Sequence, residues 1–282
     1  MGKTWLMGTA SDVPKMNDVL MLSAESGDMT LSNDPDHNFD AIDYVRVKDY
    51  KTAARVYDFL ALHCKFRDAT DAESIAKLQR LQDKFLGEND EEGLSPQEVK
   101  FNSRLRRYRT VIIDSLTEVE QYCMMQLLGV NDAVKLDDEV AGAEWAEYKK
   151  QHMMVQRLIR SYRDLPMHSL YTCARAYRED ELKRSLYSPA MTGKLSNQVQ
   201  GFMDMVGYLV MGAQSEDPDT PPSRRMYITP GARWAAKSRF SAYKRPYFDN
   251  PTIPGILHAV GLFGDGDVEK RFYLKTPQAK AK

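Results

Sequence analysis

The chain has 282 residues, of which 43% are hydrophobic and 28% charged, with a formal net charge of −1. This size allows one large domain or two small ones, and the composition is that of a globular protein. The balanced charge excludes a surface that is basic throughout, so any polyanion site must be local; no apolar run approaches the roughly 20 residues of a membrane span, and the first residues lack the apolar core of a secretory signal.

The chain opens with Met1-Gly2-Lys3-Thr4. Gly2, Lys3 and Thr4 fill the last three places of the phosphate-loop pattern G-x-x-x-x-G-K-[ST]. The expectation is that the preceding strand and the first half of the loop lie upstream. Thr4 to Thr9 continues as the helix that follows such a loop. Asp18–Ser23 is a short apolar run and reads as a buried parallel strand, with Ala41–Val47 as a second. Tyr50–Cys64 has helical spacing. Residues 71–87 and 96–108 read as two polar helices joined by the acidic turn Gly87–Gly93. They form a helical insertion, about 66–109, on one edge of the domain.

Thr110–Ile113 is the clearest buried strand and ends in Asp114-Ser115. Leu116–Leu128 and residues 143–163 read as helices, Met167–Cys173 as a strand. Residues 175–201 are polar and basic with no clear period, a long functional loop. Asp204–Met211 is apolar, Gln214–Ser223 a Pro/Asp-rich turn, and Arg225–Thr229 with Arg233–Lys237 a hairpin pair. The Lys-rich tail, 271–282, is expected to be disordered. Strands alternating with helices imply a mainly parallel α/β sheet, and residues 1–270 read as one domain. Cys64, Cys123 and Cys173 form no C-x-x-C pair; this argues against zinc and for a reducing, cytoplasmic location.

Four features carry chemistry. In a complete phosphate loop, backbone N–H groups surround phosphate, Lys3 neutralises it, and the Thr4 hydroxyl ligates Mg²⁺. A solvated lysine at a terminus is the plain alternative. Asp114 follows apolar β-formers, at the sheet edge where α/β ligand sites gather, and can serve a metal there. Its alternative is a helix cap, a job better suited to Ser115 with Glu118 as capping-box partner. Glu25 also follows an apolar strand and can orient an attacking water; an exposed turn glutamate is the alternative. Lys237 and Arg239 stand at i and i+2 on a strand and so face one side, able to reach one phosphate cluster, also that of a neighbouring subunit.

The ordered set resembles the RecA-like ATPases, and among them the phage-encoded proteins associated with single-strand annealing and recombination. The motifs that carry the resemblance are G-K-T at Gly2-Lys3-Thr4, Ala24-Glu25, Ile113-Asp114-Ser115, Leu165-Pro166 running into Ser169–Thr172, Pro189-x-x-x-Gly193-Lys194, Asp204-Met-Val, and Lys237-Ser238-Arg239-Phe240. The similarity covers about residues 1 to 260. It implies a RecA-like P-loop NTPase core with helices on both sheet faces and a C-terminal β-hairpin. It implies ATP and Mg²⁺ as cofactors, with Gly2, Lys3, Thr4, Asp114 and Ser115 at the nucleotide and Thr4 and Asp114 at the metal. Glu25 is then the catalytic carboxylate, and Lys237 and Arg239 are cationic fingers acting in trans within a homo-oligomer. Thr172–Arg175 takes the sensor place, where many relatives carry an amide or His.

Relatives of this kind bind DNA with loops after the later strands. Here Arg175, Tyr177, Arg178, Lys183, Arg184, Tyr187 and Lys194 interleave cations with aromatics, which suits single-stranded DNA. Single-stranded DNA is thus the expected partner, with a single-strand DNA-binding protein as a further one and no membrane. Two rival readings stand beside it: a P-loop ATPase for protein assembly, loading or packaging, and a degenerate module that hydrolyses nothing.

Overall fold

The computed structural model describes residues 2–25, 27–31, 34, 36–86, 99–100, 105–131, 133–179, 185–212 and 223–262. The first helix, α1 (Lys3–Gly8), leads through short 3₁₀ turns into β1 (Val19–Ser23). β1 pairs in parallel with β2 (Ile42–Arg46) on one side and with β4 (Thr110–Asp114) on the other. β4 pairs in parallel with β5 (His168–Tyr171). The short β3 (Val99–Lys100) adds an antiparallel edge, giving the sheet order β3-β2-β1-β4-β5.

The apolar runs read from the sequence form the middle of this sheet because they are covered on both faces. Alternation decides which face each residue serves. Leu20, Leu22, Val111 and Ile113 join one core cluster; Val19, Met21 and Ile112 join another on the opposite face. Against the first face lie α2 (Tyr50–Phe66), α4 (Leu116–Leu127) and α5 (Trp145–Arg163). Asp49 starts α2 by accepting a hydrogen bond from Thr52 N at 2.5 Å. α3 (Ala72–Leu86) leans on α2 through Phe59 and Phe85, whose rings stack at 3.9 Å.

The second polar helix expected over 96–108 is not formed. Val99–Lys100 is strand, and 105–109 runs without helix because its side chains are committed elsewhere. The buried Arg106 pairs with Asp43 at 2.7 Å and Asp18 at 3.3 Å, and Tyr108 donates to Asp43 at 2.7 Å. These bonds pin the segment across β1 and β2 and satisfy charges that burial would otherwise penalise. The turn 87–93 lies outside the described residues.

Among its described residues the stretch after β5 holds strands and a helix rather than one long loop. β6 (Arg175–Glu179) and β7 (Ser185–Pro189) pair as a hairpin, followed by α6 (Leu195–Phe202). β8 (Met205–Val206) pairs with β11 (Lys237–Ser238). β9 (Tyr208–Met211), β10 (Arg224–Tyr227) and β12 (Tyr247–Asp249) form an antiparallel sheet, and α7 (Ile253–Ala259) follows. The expected hairpin between 225–229 and 233–237 is therefore corrected. β10 takes β9 and β12 as partners, since Met226 opposes Leu209 and Phe248 and the three bury together. Residues 213–222 and the tail lie outside the described residues.

α1 packs with this C-terminal unit: Leu6 and Ala10 share a cluster with Met226, Phe248, Ile253 and Ile256. Ile253 N donates to Thr9 Oγ1 at 2.8 Å. A cavity of about 830 Å³ lies between β5 and the segment Met203–Met211, with Lys3 in its lining. β5 and β9, both edge strands of their sheets, line it. No helix among the described residues is long and apolar enough to cross a membrane.

Candidate functional site

Parallel register brings Glu25, Asp114 and Ser115 to one rim of the sheet. Ser23 stands opposite Asp114, so the chain leaves β1 and β4 side by side at their carboxyl ends. Ala24 N and Glu25 N donate to Asp114 O at 2.7 and 3.3 Å. Asp114 is fully buried, and hydroxyls satisfy its carboxylate. Thr4 Oγ1 donates to Oδ2 at 2.6 Å and Thr172 Oγ1 donates to Oδ1. Ser115 Oγ donates to Glu25 Oε1.

That last bond corrects the capping role read for Ser115. Its side chain makes no cap bond to α4; it turns instead to hold Glu25. Gly27 keeps the rim open: a methyl group there would lie 3.1 Å from Thr4 Oγ1 and 3.3 Å from Asp114 Oδ2.

Gly2 enters α1 at φ +82°, a left-handed conformation that glycine adopts without strain. Its carbonyl accepts from Leu6 N at 3.0 Å. Lys3 follows. It lines the same cavity as Cys173, just beyond β5, whose thiol pKa burial raises.

One residue beside Gly2 carried no motif. A methyl group on Gly2 would lie 2.8 Å from Arg224 Nε, and the Arg224 guanidinium carbon sits 5.0 Å from the Trp5 ring centre. Among the described residues no carboxylate pairs with this guanidinium. Its only sequence signal is the Arg224-Arg225 doublet at the start of β10. Thr172 is the second residue the motifs underrate: its place in the sensor stretch was noted, its hydroxyl contact with Asp114 was not.

Oxygen donors of this kind suit Mg²⁺, which prefers carboxylate and hydroxyl or water ligands. Thr4 Oγ1 and Asp114 are the residues that fit it. Lys3 and Arg224 supply cations next to Gly2, and Glu25 stands next to Ser115 on the same rim.

The other candidates lie elsewhere. Lys237 Nζ donates to Met203 O at 2.9 Å and Gln200 O at 3.1 Å, and Arg239 pairs with Asp204 at 2.8 Å. Both thus tie down the end of α6 within the chain. Arg178 donates to Met191 O at 2.6 Å and Gly193 O at 3.3 Å, so it braces the turn before α6. Arg175 lies over the Tyr187 ring at 5.0 Å. Tyr177 is 55% exposed, and Lys194 is exposed at the start of α6. Lys183 and Arg184 lie outside the described residues.

The model of the AAA domain family matches residues 1–240. The chain belongs to the AAA domain family. Membership makes it a P-loop nucleotide-binding protein of a kind that usually takes Mg²⁺ with the nucleotide. The matched range spans the whole rim from Gly2 to Thr172. No curated protein and no solved structure matches the chain.

Proposed function

We propose that this AAA-family chain is an ATPase. Gly2, Lys3 and Thr4 receive the nucleotide phosphates, and Thr4 with Asp114 holds Mg²⁺. Bound there, the metal neutralises phosphate charge. Glu25, fixed by Ser115, orients the attacking water, and Thr172 reads the state of Asp114 from the end of β5. The observation that carries this reading is the hydrogen bond from Thr4 to the buried Asp114 on the rim that Glu25 shares. Phosphoryl transfer asks for positioning and charge stabilisation, and these residues can provide both.

The cavity beside β5 has room for a further strand. It is bordered by two edge strands and includes Lys3. A further strand would find the unpaired edge of β5 there.

The further part of the proposal is that ATP turnover serves single-stranded DNA, in annealing or recombination of the RecA-like phage type, within a homo-oligomer. Arg175, Tyr177 and Tyr187 on the β6–β7 hairpin are the intrachain support for it. The hairpin leaves the sheet three residues beyond Thr172, so phosphate and hairpin are joined through one short segment. In the oligomer Lys237 and Arg239 would exchange their α6 contacts for a neighbour's phosphates.

The test is Glu25→Gln. It preserves shape and removes charge, so nucleotide binding should persist while turnover falls by at least a hundredfold. Turnover at the unmodified rate would take Glu25 out of the chemistry and leave the chain a nucleotide-binding module.

A further inference from the structure

The C-terminal sheet has an unusual outer face. Met226, Leu209 and Phe248 point inward to the core cluster. The residues that alternate with them, Tyr208, Tyr227 and Tyr247, share the other face with Arg225. An outward sheet face is ordinarily polar. Here half of it is tyrosine, with Val210, Arg225 and Asp249 beside the three rings.

These rings continue past the sheet. Tyr247 meets Tyr227 at 5.7 Å, Tyr227 meets Trp234 at 4.5 Å, and Trp234 lies parallel to Tyr208 at 5.9 Å. Tyr208 stacks with Tyr187 at 5.8 Å, and Tyr187 meets Tyr177 at 5.7 Å. The row thus joins the β6–β7 hairpin to the β9–β10–β12 sheet, and a backbone bridge between Tyr187 and Trp234 fixes the junction. None of the six rings belongs to a core cluster.

Cations sit along the row. Arg175 lies 5.0 Å from the Tyr187 ring centre and Arg225 3.9 Å from that of Tyr247. Asp249 offsets Arg225 at 2.7 Å. Over residues 223–262 seven side chains are Lys or Arg and only Asp249 is acidic; Arg224 turns to Gly2, and Lys237 and Arg239 turn to the end of α6, which leaves Arg225, Arg233, Lys244 and Arg245.

We propose that this aromatic row is a stacking platform for single-stranded nucleic acid. Tyrosine and tryptophan rings on a basic surface match bases that carry a phosphate backbone, and every base has a face to stack. A duplex hides those faces, so it gains only the electrostatic part. The proposal rests on the single-stranded DNA reading above and extends it from the hairpin to a surface on β9, β10 and β12.

The test uses a fluorescently labelled oligothymidylate and its unlabelled duplex as competitor. Trp234→Leu with Tyr247→Leu should weaken binding at least tenfold, while the slope of affinity against salt stays unchanged because no cation is lost. Trp234→Phe should restore part of the affinity. Tyr177→Ala removes an exposed ring at the far end and serves should the double variant fail to fold, as judged by thermal unfolding. If the unmodified chain binds the oligomer and all ring variants bind equally, the platform is overturned and the hairpin cations keep the DNA reading. If the duplex competes as well as the single strand, stacking is overturned. If the unmodified chain binds no oligomer with or without ATP, both the platform and the DNA reading fall.

Discussion

Arg224 has one neighbourhood and no motif. Its guanidinium lies against Gly2 and over Trp5, with no carboxylate partner among the described residues. A half-buried cation of this kind is stabilised by an anion, and nucleotide phosphates at the proposed site would provide one. Arg224→Ala should therefore raise the dissociation constant for ATP by roughly tenfold, with a smaller effect on thermal stability. Binding by calorimetry that matches the unmodified chain would leave Arg224 as packing for Trp5. That Thr4, Glu25 and Asp114 share one rim was legible in the sequence because each follows a pattern tied to a strand end or a loop. Arg224 and the Thr172 hydroxyl contact were not legible. Their roles come from three-dimensional proximity between segments far apart in the chain, and nothing in local spacing announces it. Ser115 shows the opposite limit: local chemistry favours a cap, and a carboxylate from the neighbouring strand captures the hydroxyl instead.

Among the elements, those covered on both faces were the most readable. β1, β2 and β4 stand out as apolar runs, and α2, α4 and α5 as helical stripes. The short pieces were not readable. β3 has two residues and takes its strand form from the edge of β2. The segment 105–109 has a polar pattern that suits a helix, but buried pairing of Arg106 with Asp43 and Asp18 holds it extended across the sheet. The β6–β7 hairpin lacks a clear apolar alternation because its faces are half exposed. For β5, pairing on only one side leads to a prediction. A version extended before Gly2 by an apolar strand should protect the Ser169 and Tyr171 amides, which point away from β4, from hydrogen exchange more than the 282-residue chain does. Equal exchange in the two would mean that no strand enters the cavity.

For the molecule as a whole, His63 supplies a pH dependence. It is fully buried on α2, and burial pulls its pKa from 6.5 down to about 4. Its Nε2 lies 3.2 Å from Arg106 O and 3.3 Å from Tyr108 N. The folded state keeps the ring neutral while the unfolded chain protonates it near pH 6.5. Stability from this group is thus complete above that value and is lost as the pH falls toward 4, by about 3 kcal/mol in total. That is a large share of a typical folding free energy. Urea midpoints should fall across this window, and His63→Gln should make the fall between pH 6.5 and 5 shallower. An equally steep fall in that variant would assign the acid sensitivity to other groups.

The bond between Thr9 and Ile253 spans 244 positions of sequence. It fastens the helix that starts at Lys3 to the last described helix, and the shared cluster of Leu6, Met226 and Ile256 reinforces it. The first and last described helices are thus one mechanical piece, and a load placed on α7 reaches the segment that carries Lys3 and Thr4 without crossing the parallel sheet.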